Sequence, residues 1–179
     1  MSGLTAGVFV IGLMSMVPVQ AQDRAQGSVP PPTAPMASGA PVTDNMFMLT
    51  AAQDGKAEVA LAELAAKHAT RADVKAYAEM LRGDHQKANT ELTALASAKK
   101  VSLPADVSAS QKTTMDKLSK ATGAAFDRAY VTEMVTDHQK AVDLFTKAAN
   151  STDADVKAFA TKTLPTLKMH LEDAKKLQK

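Results

Sequence analysis

The sequence predicts an all-α protein built as a bundle of four long helices. Apolar residues recur at three- and four-residue steps along four stretches of about 25 residues each, which is the spacing of one buried helix face. Ala, Leu and Met, which favour helix, supply much of the apolar content. Because each helix has one apolar face, the four faces are best buried against one another.

Turn-forming residues set the limits of these elements. The first helix is expected from Asp44 or Asn45 to about Ala69, and the second follows a short break at 70–73 and runs to about Lys99. The third is expected over about 124–149 and the fourth from after Asp153 to the C-terminus. Between the second and third helices we expect a connector with one short amphipathic helix, Ser108 to Leu118.

The first 43 residues carry a different pattern. Residues 4–19 are uncharged and mostly apolar, a run shorter than the roughly 20 residues that span a bilayer, and Val19-Gln20-Ala21 has the small-x-small form that signal peptidase cleaves. We therefore predict a signal peptide at 1–21, with an uncleaved interfacial anchor as the alternative. Since 1–3 has no Lys or Arg, a start upstream of Met1 stays open as an alternative. Residues 22–43 are rich in Pro and predict an extended linker, which leaves 44–179 as the bundle domain.

Composition excludes several classes of function. The chain has 21 Lys+Arg and 19 Asp+Glu, which gives no reason to expect a nucleic-acid partner. It has no Cys, so disulfides, Cys-based zinc sites and thiol catalysis are excluded. We find no catalytic motif, which disfavours an enzyme. The mature chain is expected to lack a membrane span, and an envelope protein or a second copy of the chain is the kind of partner we expect.

Each predicted helix places one metal-competent side chain on its apolar face. These residues are Glu58, His85, His138 and His170, and each lies 12 to 19 residues from a tight turn, near one level of the bundle. Buried carboxylates and imidazoles cost free energy unless they are paired or bound to something. The sequence therefore predicts one divalent transition metal ion, Zn, Mn, Fe or Cu, held by these four residues.

The sequence leaves open an alternative to the metal site and the roles of the polar residues around it. Glu58 and the three histidines would also fit a closed polar network without metal, in a non-catalytic envelope or stress-related interaction protein. Asp84 and Asp137 each precede a histidine of the apolar stripe, and we weigh pairing with Lys87 and Lys140 on a solvated face against hydrogen bonding to the metal ligands. Asp54, one turn before Glu58, is a further candidate for the site. His68 is expected to be an exposed residue at the end of the first helix.

Four motifs in a fixed order resemble a known family. They read Ala51-Ala52…Glu58-Val59, Asp73-Val74-Lys75-x-Tyr77-Ala78…Asp84-His85, Phe126-Asp127-x-x-Tyr130…Asp137-His138 and Leu164-Pro165-x-Leu167…His170-Leu171. This pattern is similar to the bacterial envelope family catalogued as domain of unknown function 4142. The resemblance implies a ferritin-like bundle, export to the periplasm or outer membrane, and no established activity. It also places the family's recurrent polar residues on Glu58, Asp84, His85, His138 and His170.

The sequence departs from di-iron ferritin relatives in its ligand pattern. Those proteins use Glu-x-x-His on two of their helices, and this chain has no Glu-x-x-His. Too few carboxylates lie on the apolar faces to bridge two irons. The sequence therefore argues against ferroxidase chemistry and leaves a mononuclear site or the metal-free network.

Overall fold

A computed structural model describes residues 43–179, and in that range the chain forms five helices and no strand. The helices are α1 (Asp44–His68), α2 (Ala72–Ala98), α3 (Ala109–Ser119), α4 (Gly123–Ala148) and α5 (Ala154–Leu177). This confirms the predicted all-α class, the four long helices and the short helix in the connector. The signal peptide and most of the linker predicted at 1–43 lie outside the described residues.

Local chemistry explains where the helices begin. The Thr43 side chain accepts the Met46 N–H at the start of α1, and Asp153 accepts two N–H groups at the start of α5. The α2 N-terminus is capped from another helix, because the carboxylate of Asp127 on α4 accepts the N–H groups of Thr70 and Arg71. This bond also fixes α4 against the turn between α1 and α2.

The four long helices form a bundle with one long crossover. α1 packs against α2 and α4, and α5 packs against α4 and α2. The C-terminal end of α1 lies at the same end of the bundle as the N-terminal end of α4, so the connector between α2 and α4 crosses the length of the bundle. Every packed pair of long helices is therefore antiparallel. One crossover of this kind is the connectivity of ferritin-like bundles.

Two apolar clusters form the core, one toward each end of the bundle. The Tyr130 cluster includes Leu61, Leu81, Phe126, Tyr130 and Met134. The Phe145 cluster includes Phe47, Leu92, Phe145, Phe159 and Leu167. Between them lies a polar layer made of Glu58, His85, His138 and His170, all of which are buried. The fold thus brings the four predicted residues to one level of the core.

No helix within residues 43–179 is both long and apolar enough to cross a lipid bilayer.

Candidate metal centre

Three imidazoles from three helices converge in the polar layer. His85, His138 and His170 come from α2, α4 and α5, and one ring nitrogen of each lies within 4.8 Å of those of the other two. Their ring centroids are 5.3 to 5.6 Å apart. His138 and His170 are each 1% exposed and His85 is 8% exposed. A triangle of this size places three nitrogen donors around one central point.

Hydrogen bonds on the outer side of two rings fix which nitrogen is free. His138 Nδ1 lies 2.9 Å from the Met134 carbonyl oxygen, which can only accept, so Nδ1 carries the proton and Nε2 keeps its lone pair. His170 Nε2 lies 2.9 Å from Asp84 Oδ2, and by the same argument Nδ1 keeps its lone pair. A carbonyl or carboxylate behind the ring is the usual way in which metal-binding histidines are oriented.

The inward-facing nitrogens are the ones without partners. Among residues 43–179, no group hydrogen-bonds to His85 Nε2, His138 Nε2 or His170 Nδ1, and the same is true of Glu58 Oε2. Buried polar atoms are nearly always paired, so four such atoms in one layer call for an explanation. A cation bound between the rings would satisfy the three ring nitrogens.

Glu58 flanks the histidines without joining their group. Its Oε1 lies 3.9 Å from His138 Nδ1, and its carboxylate is outside the set of atoms that lie within 4.8 Å of one another. Burial raises the pKa of Glu58 well above its usual range, and the negative charges of Asp137, Asp54 and Glu133 add to the rise. A cation bound nearby would therefore favour the ionised form of Glu58.

The histidines are held in their neutral form. Burial, with a smaller contribution from the neighbouring imidazoles, lowers the pKa of His85 to about 3 and that of His138 to about 4. Burial also lowers the pKa of His170, although the hydrogen bond to Asp84 opposes this. A neutral imidazole is the form that binds metal ions. The free ring nitrogens therefore do not have to lose a proton before an ion binds.

The two aspartates that precede histidines have different partners. Asp84 contacts His170, on another helix, instead of pairing with Lys87. Asp137 pairs with Lys140, with 3.0 Å between Oδ1 and Nζ, as the solvated-face interpretation predicts. Asp84 therefore orients a candidate ligand, and Asp137 does not contact one of the rings.

Some residues near the layer were missed or misjudged from sequence. Tyr77 donates its hydroxyl to the backbone carbonyl of His170, which ties α2 to α5 beside the site. Gln111 of α3 hydrogen-bonds to Asp54, a contact that no local pattern signals. His68 was expected to be exposed, but it is half-buried, with Nδ1 3.1 Å from the Ala121 carbonyl and its ring stacked on Phe126.

A cavity of about 320 Å³ opens onto the polar layer. It is lined by the four residues of the layer and by polar groups from α1, α3 and α4 that include Asp54, Gln111, Glu133, Asp137 and Lys140. The cavity is large enough for an ion with its water ligands. The layer is therefore open to a cavity that polar groups help to line, and it is not sealed inside apolar packing.

Fold and site together define the class of protein: a ferritin-like helical bundle with a buried polar layer of three histidines and one glutamate. The chain belongs to the family described as domain of unknown function DUF4142, whose model matches residues 29–177. No curated protein matches the sequence significantly.

Solved structures with the same fold include three that are informative. CopM in the Cu(II)-bound form is 19% identical, with a TM-score of 0.64 over 75% of this chain and 95% of CopM. A DUF305 fragment from Deinococcus radiodurans is 14% identical, with a TM-score of 0.68 over 78% of this chain and 98% of the fragment. CopM in the Cu(I)-bound form is 20% identical, with a TM-score of 0.63. At these identities the likeness concerns the fold.

Proposed function

We propose that this protein is an exported metal-binding bundle that holds one transition metal ion through His85, His138 and His170. The observation that carries the proposal is the set of three buried ring nitrogens that face one another and have no hydrogen-bond partner in the described part of the chain. Glu58 lies beside the site as the carboxylate that balances the charge of the ion. Asp84 orients His170 from behind.

Copper is the first metal to test. Imidazole nitrogen suits Cu, Zn, Fe and Ni, and the affinity of a given nitrogen site is highest for Cu(II) in the divalent first-row series. The structures of CopM with bound Cu(II) and Cu(I) show that a bundle of this fold can hold copper. Zn, Fe and Mn are the alternatives that the ligand set leaves.

A metal-free polar network is the second candidate, in a non-catalytic envelope or stress-related interaction protein. The bonds from His138 to Met134 and from His170 to Asp84 favour it, since each satisfies one nitrogen of a buried ring. Against it stand the inward nitrogens and Glu58 Oε2, which no group in residues 43–179 satisfies. A closed network would pair these atoms with one another.

Export is the second part of the proposal. It is supported by the signal-peptide pattern of 1–21 and by the Pro-rich stretch of 22–43, which would hold the bundle away from its point of release. N-terminal sequencing of the protein recovered from the periplasm tests it. Processing after Ala21 supports export, and an unprocessed chain found in the cytoplasm contradicts it.

The test of metal binding is elemental analysis of the protein purified without a His-tag. We expect close to one metal ion per chain in the wild type and none in His85→Ala/His138→Ala. His68→Ala is the matched control, because it removes an imidazole outside the polar layer and should keep the metal. Circular dichroism confirms that each variant is helical.

Two outcomes would contradict the proposal. One is a wild-type protein that is metal-free as purified and takes up none of Cu, Zn, Fe and Mn on titration. The other is a folded His85→Ala/His138→Ala variant with the metal content of the wild type.

A further inference from the structure

The side of the bundle between α1 and α4 is acidic. Asp54 and Glu58 lie one turn apart on α1, Glu133 and Asp137 lie one turn apart on α4, and all four line the cavity that reaches the histidines. Because α1 packs against α4, these pairs face each other. Four carboxyl groups therefore lead from the surface of this side toward the polar layer.

This arrangement is costly without a cation. Burial and the charge of Asp137 raise the pKa of Asp54 to about 6, and burial raises the pKa of Glu133 with Asp137 again adding to the rise. Lys140 offsets part of the charge through its bond to Asp137. The repulsion between neighbouring carboxylates is relieved when a cation lies between them.

A second observation separates this group from an ordinary acidic surface. Glu58 is 5% exposed, and its Oε2 has no hydrogen-bond partner in the range 43–179 although it lines the cavity. A buried carboxylate oxygen in that position is available to a ligand that arrives through the cavity. Glu58 also lies beside the histidines, with 3.9 Å between its Oε1 and His138 Nδ1.

Helix α3 lies over this side of the bundle. Its Ser110, Gln111 and Thr114 line the cavity, and Gln111 Nε2 donates to Asp54 Oδ1 at 2.7 Å. The one buried residue of α3 is Leu118, near the C-terminal end of the helix. The N-terminal half is thus held by polar contacts with little apolar burial, and segments of this kind open locally at low free-energy cost.

We propose that Asp54, Glu58, Glu133 and Asp137 form an access site at which hydrated divalent metal cations bind through carboxylate oxygens before they reach the three histidines. The N-terminal half of α3 covers this site, and Gln111 holds it in place through Asp54. This inference rests on the proposed metal binding. Oxygen ligands suit a cation that still carries water, and the nitrogen ligands beyond them bind transition metals more tightly.

The competing route lies on the opposite side, between α2 and α5. There the Asp84 side chain is 42% exposed and touches His170, and Thr163 and Thr166 line the cavity. On this side one carboxylate, that of Asp84, lines the cavity, whereas the α1–α4 side contributes four. A difference in loading rate between variants of the two sides therefore identifies the route.

The test is stopped-flow mixing of the full-length metal-free protein with Cu(II) at low ionic strength, followed by the absorption of the Cu(II)–imidazole complex. We expect Asp54→Asn and Asp137→Asn each to slow loading by about tenfold, the lower end of electrostatic acceleration by a charged cleft. The final spectrum and stoichiometry should stay those of the wild type. Asp143→Asn is the matched control, since it removes one charge from α4 outside the cavity and should load at the wild-type rate.

Two further variants test the cover and the route. Gln111→Leu removes the bond to Asp54 and should speed loading several-fold without changing the final spectrum. Thr114→Trp adds bulk on the α3 side and should slow loading, whereas Thr166→Trp adds the same bulk on the α2–α5 side and should not.

The outcomes separate this inference from the proposed function. If the wild type loads Cu(II) but the Asp54 and Asp137 variants load at its rate, the access site is wrong and the histidine site stands. Slowing by Thr166→Trp but not by Thr114→Trp would also overturn it and assign access to the α2–α5 side. If the wild type never develops the Cu(II)–imidazole spectrum, both proposals fail.

Discussion

The two apolar clusters and the polar layer between them differ in the free-energy effect of burying their side chains. In the Tyr130 and Phe145 clusters, side chains such as Phe126 and Val156 are fully buried against other apolar groups and gain free energy from leaving water. The polar layer buries three imidazoles and a carboxyl group whose inward atoms have no partner among the described residues. The clusters therefore stabilise the bundle, and burial of the polar layer costs part of that free energy in order to form a binding site.

The largest effect on stability should come from the clusters. Phe126 is fully buried and stacks on Tyr130 at a centroid distance of 5.7 Å. We expect Phe126→Ala to lower the free energy of unfolding by about 3–5 kcal/mol, because it removes a large side chain and leaves a cavity. Urea unfolding measures this loss. Any folded fraction should still bind one metal ion per chain, and loss of the metal from folded protein would show that cluster and layer are not separable.

The next effect concerns the orientation of a ligand. Asp84→Asn weakens the hydrogen bond behind His170 and should lower the metal affinity by about 10- to 100-fold, the usual cost of changing a residue behind a metal ligand. Competition titration with a chelator measures it. Asp137→Asn makes the same chemical change before His138, where the aspartate contacts Lys140, and should leave the affinity unchanged. Equal losses in both variants would contradict a specific role for Asp84.

Replacing two histidines of the polar layer should have the opposite effect on stability to Phe126→Ala. We expect His85→Leu/His138→Leu to raise the free energy of unfolding of the metal-free protein by about 1–2 kcal/mol, since it replaces imperfectly paired polar groups with apolar ones of similar size. The same variant should bind no metal. Denaturant unfolding checks the first statement and elemental analysis the second. A strongly destabilised variant would instead support the closed polar network.

The smallest expected effect is a slope with pH. In the folded protein the pKa of His138 is lowered from 6.5 to about 4 and that of His85 to about 3 by burial. Between pH 6.5 and 4 these two histidines bind more protons in the unfolded chain, so their contribution to the stability of the metal-free protein falls as pH falls. Asp54 and Glu58 oppose this, because burial raises the pKa of Asp54 from 3.8 to about 6 and that of Glu58 well above its usual range, so the folded protein takes up protons there.

Two variants separate these contributions. Urea unfolding at pH 7 and pH 5 should show a smaller loss of stability for His138→Gln than for the wild type, and a larger loss for Asp54→Asn. Identical losses in all three proteins would mean that neither group titrates as its burial implies.

Much of the site follows from helical periodicity, and the rest depends on contacts between distant residues. His85, His138 and His170 were predicted because each lies on the apolar stripe of its own helix, so a regular helix brings them inward whatever its neighbours are. Asp84 lies off the apolar stripe, and helical periodicity does not signal its contact with His170, 86 residues further along the chain. The bond between Gln111 and Asp54 joins a short polar helix to a long one, and neither sequence segment signals the other.

The helices, their turns and the polar layer follow from local sequence, because hydrophobic periodicity and capping act over a few residues. An ordered set of motifs also indicates the family. Three features depend on the tertiary structure. They are the ring nitrogens that face inward, the position of Glu58 beside the histidine triangle, and the position of α3 over the acidic side. These depend on how four helices are rotated and spaced in the bundle, and differences of an ångström there are set by the packing of the whole core.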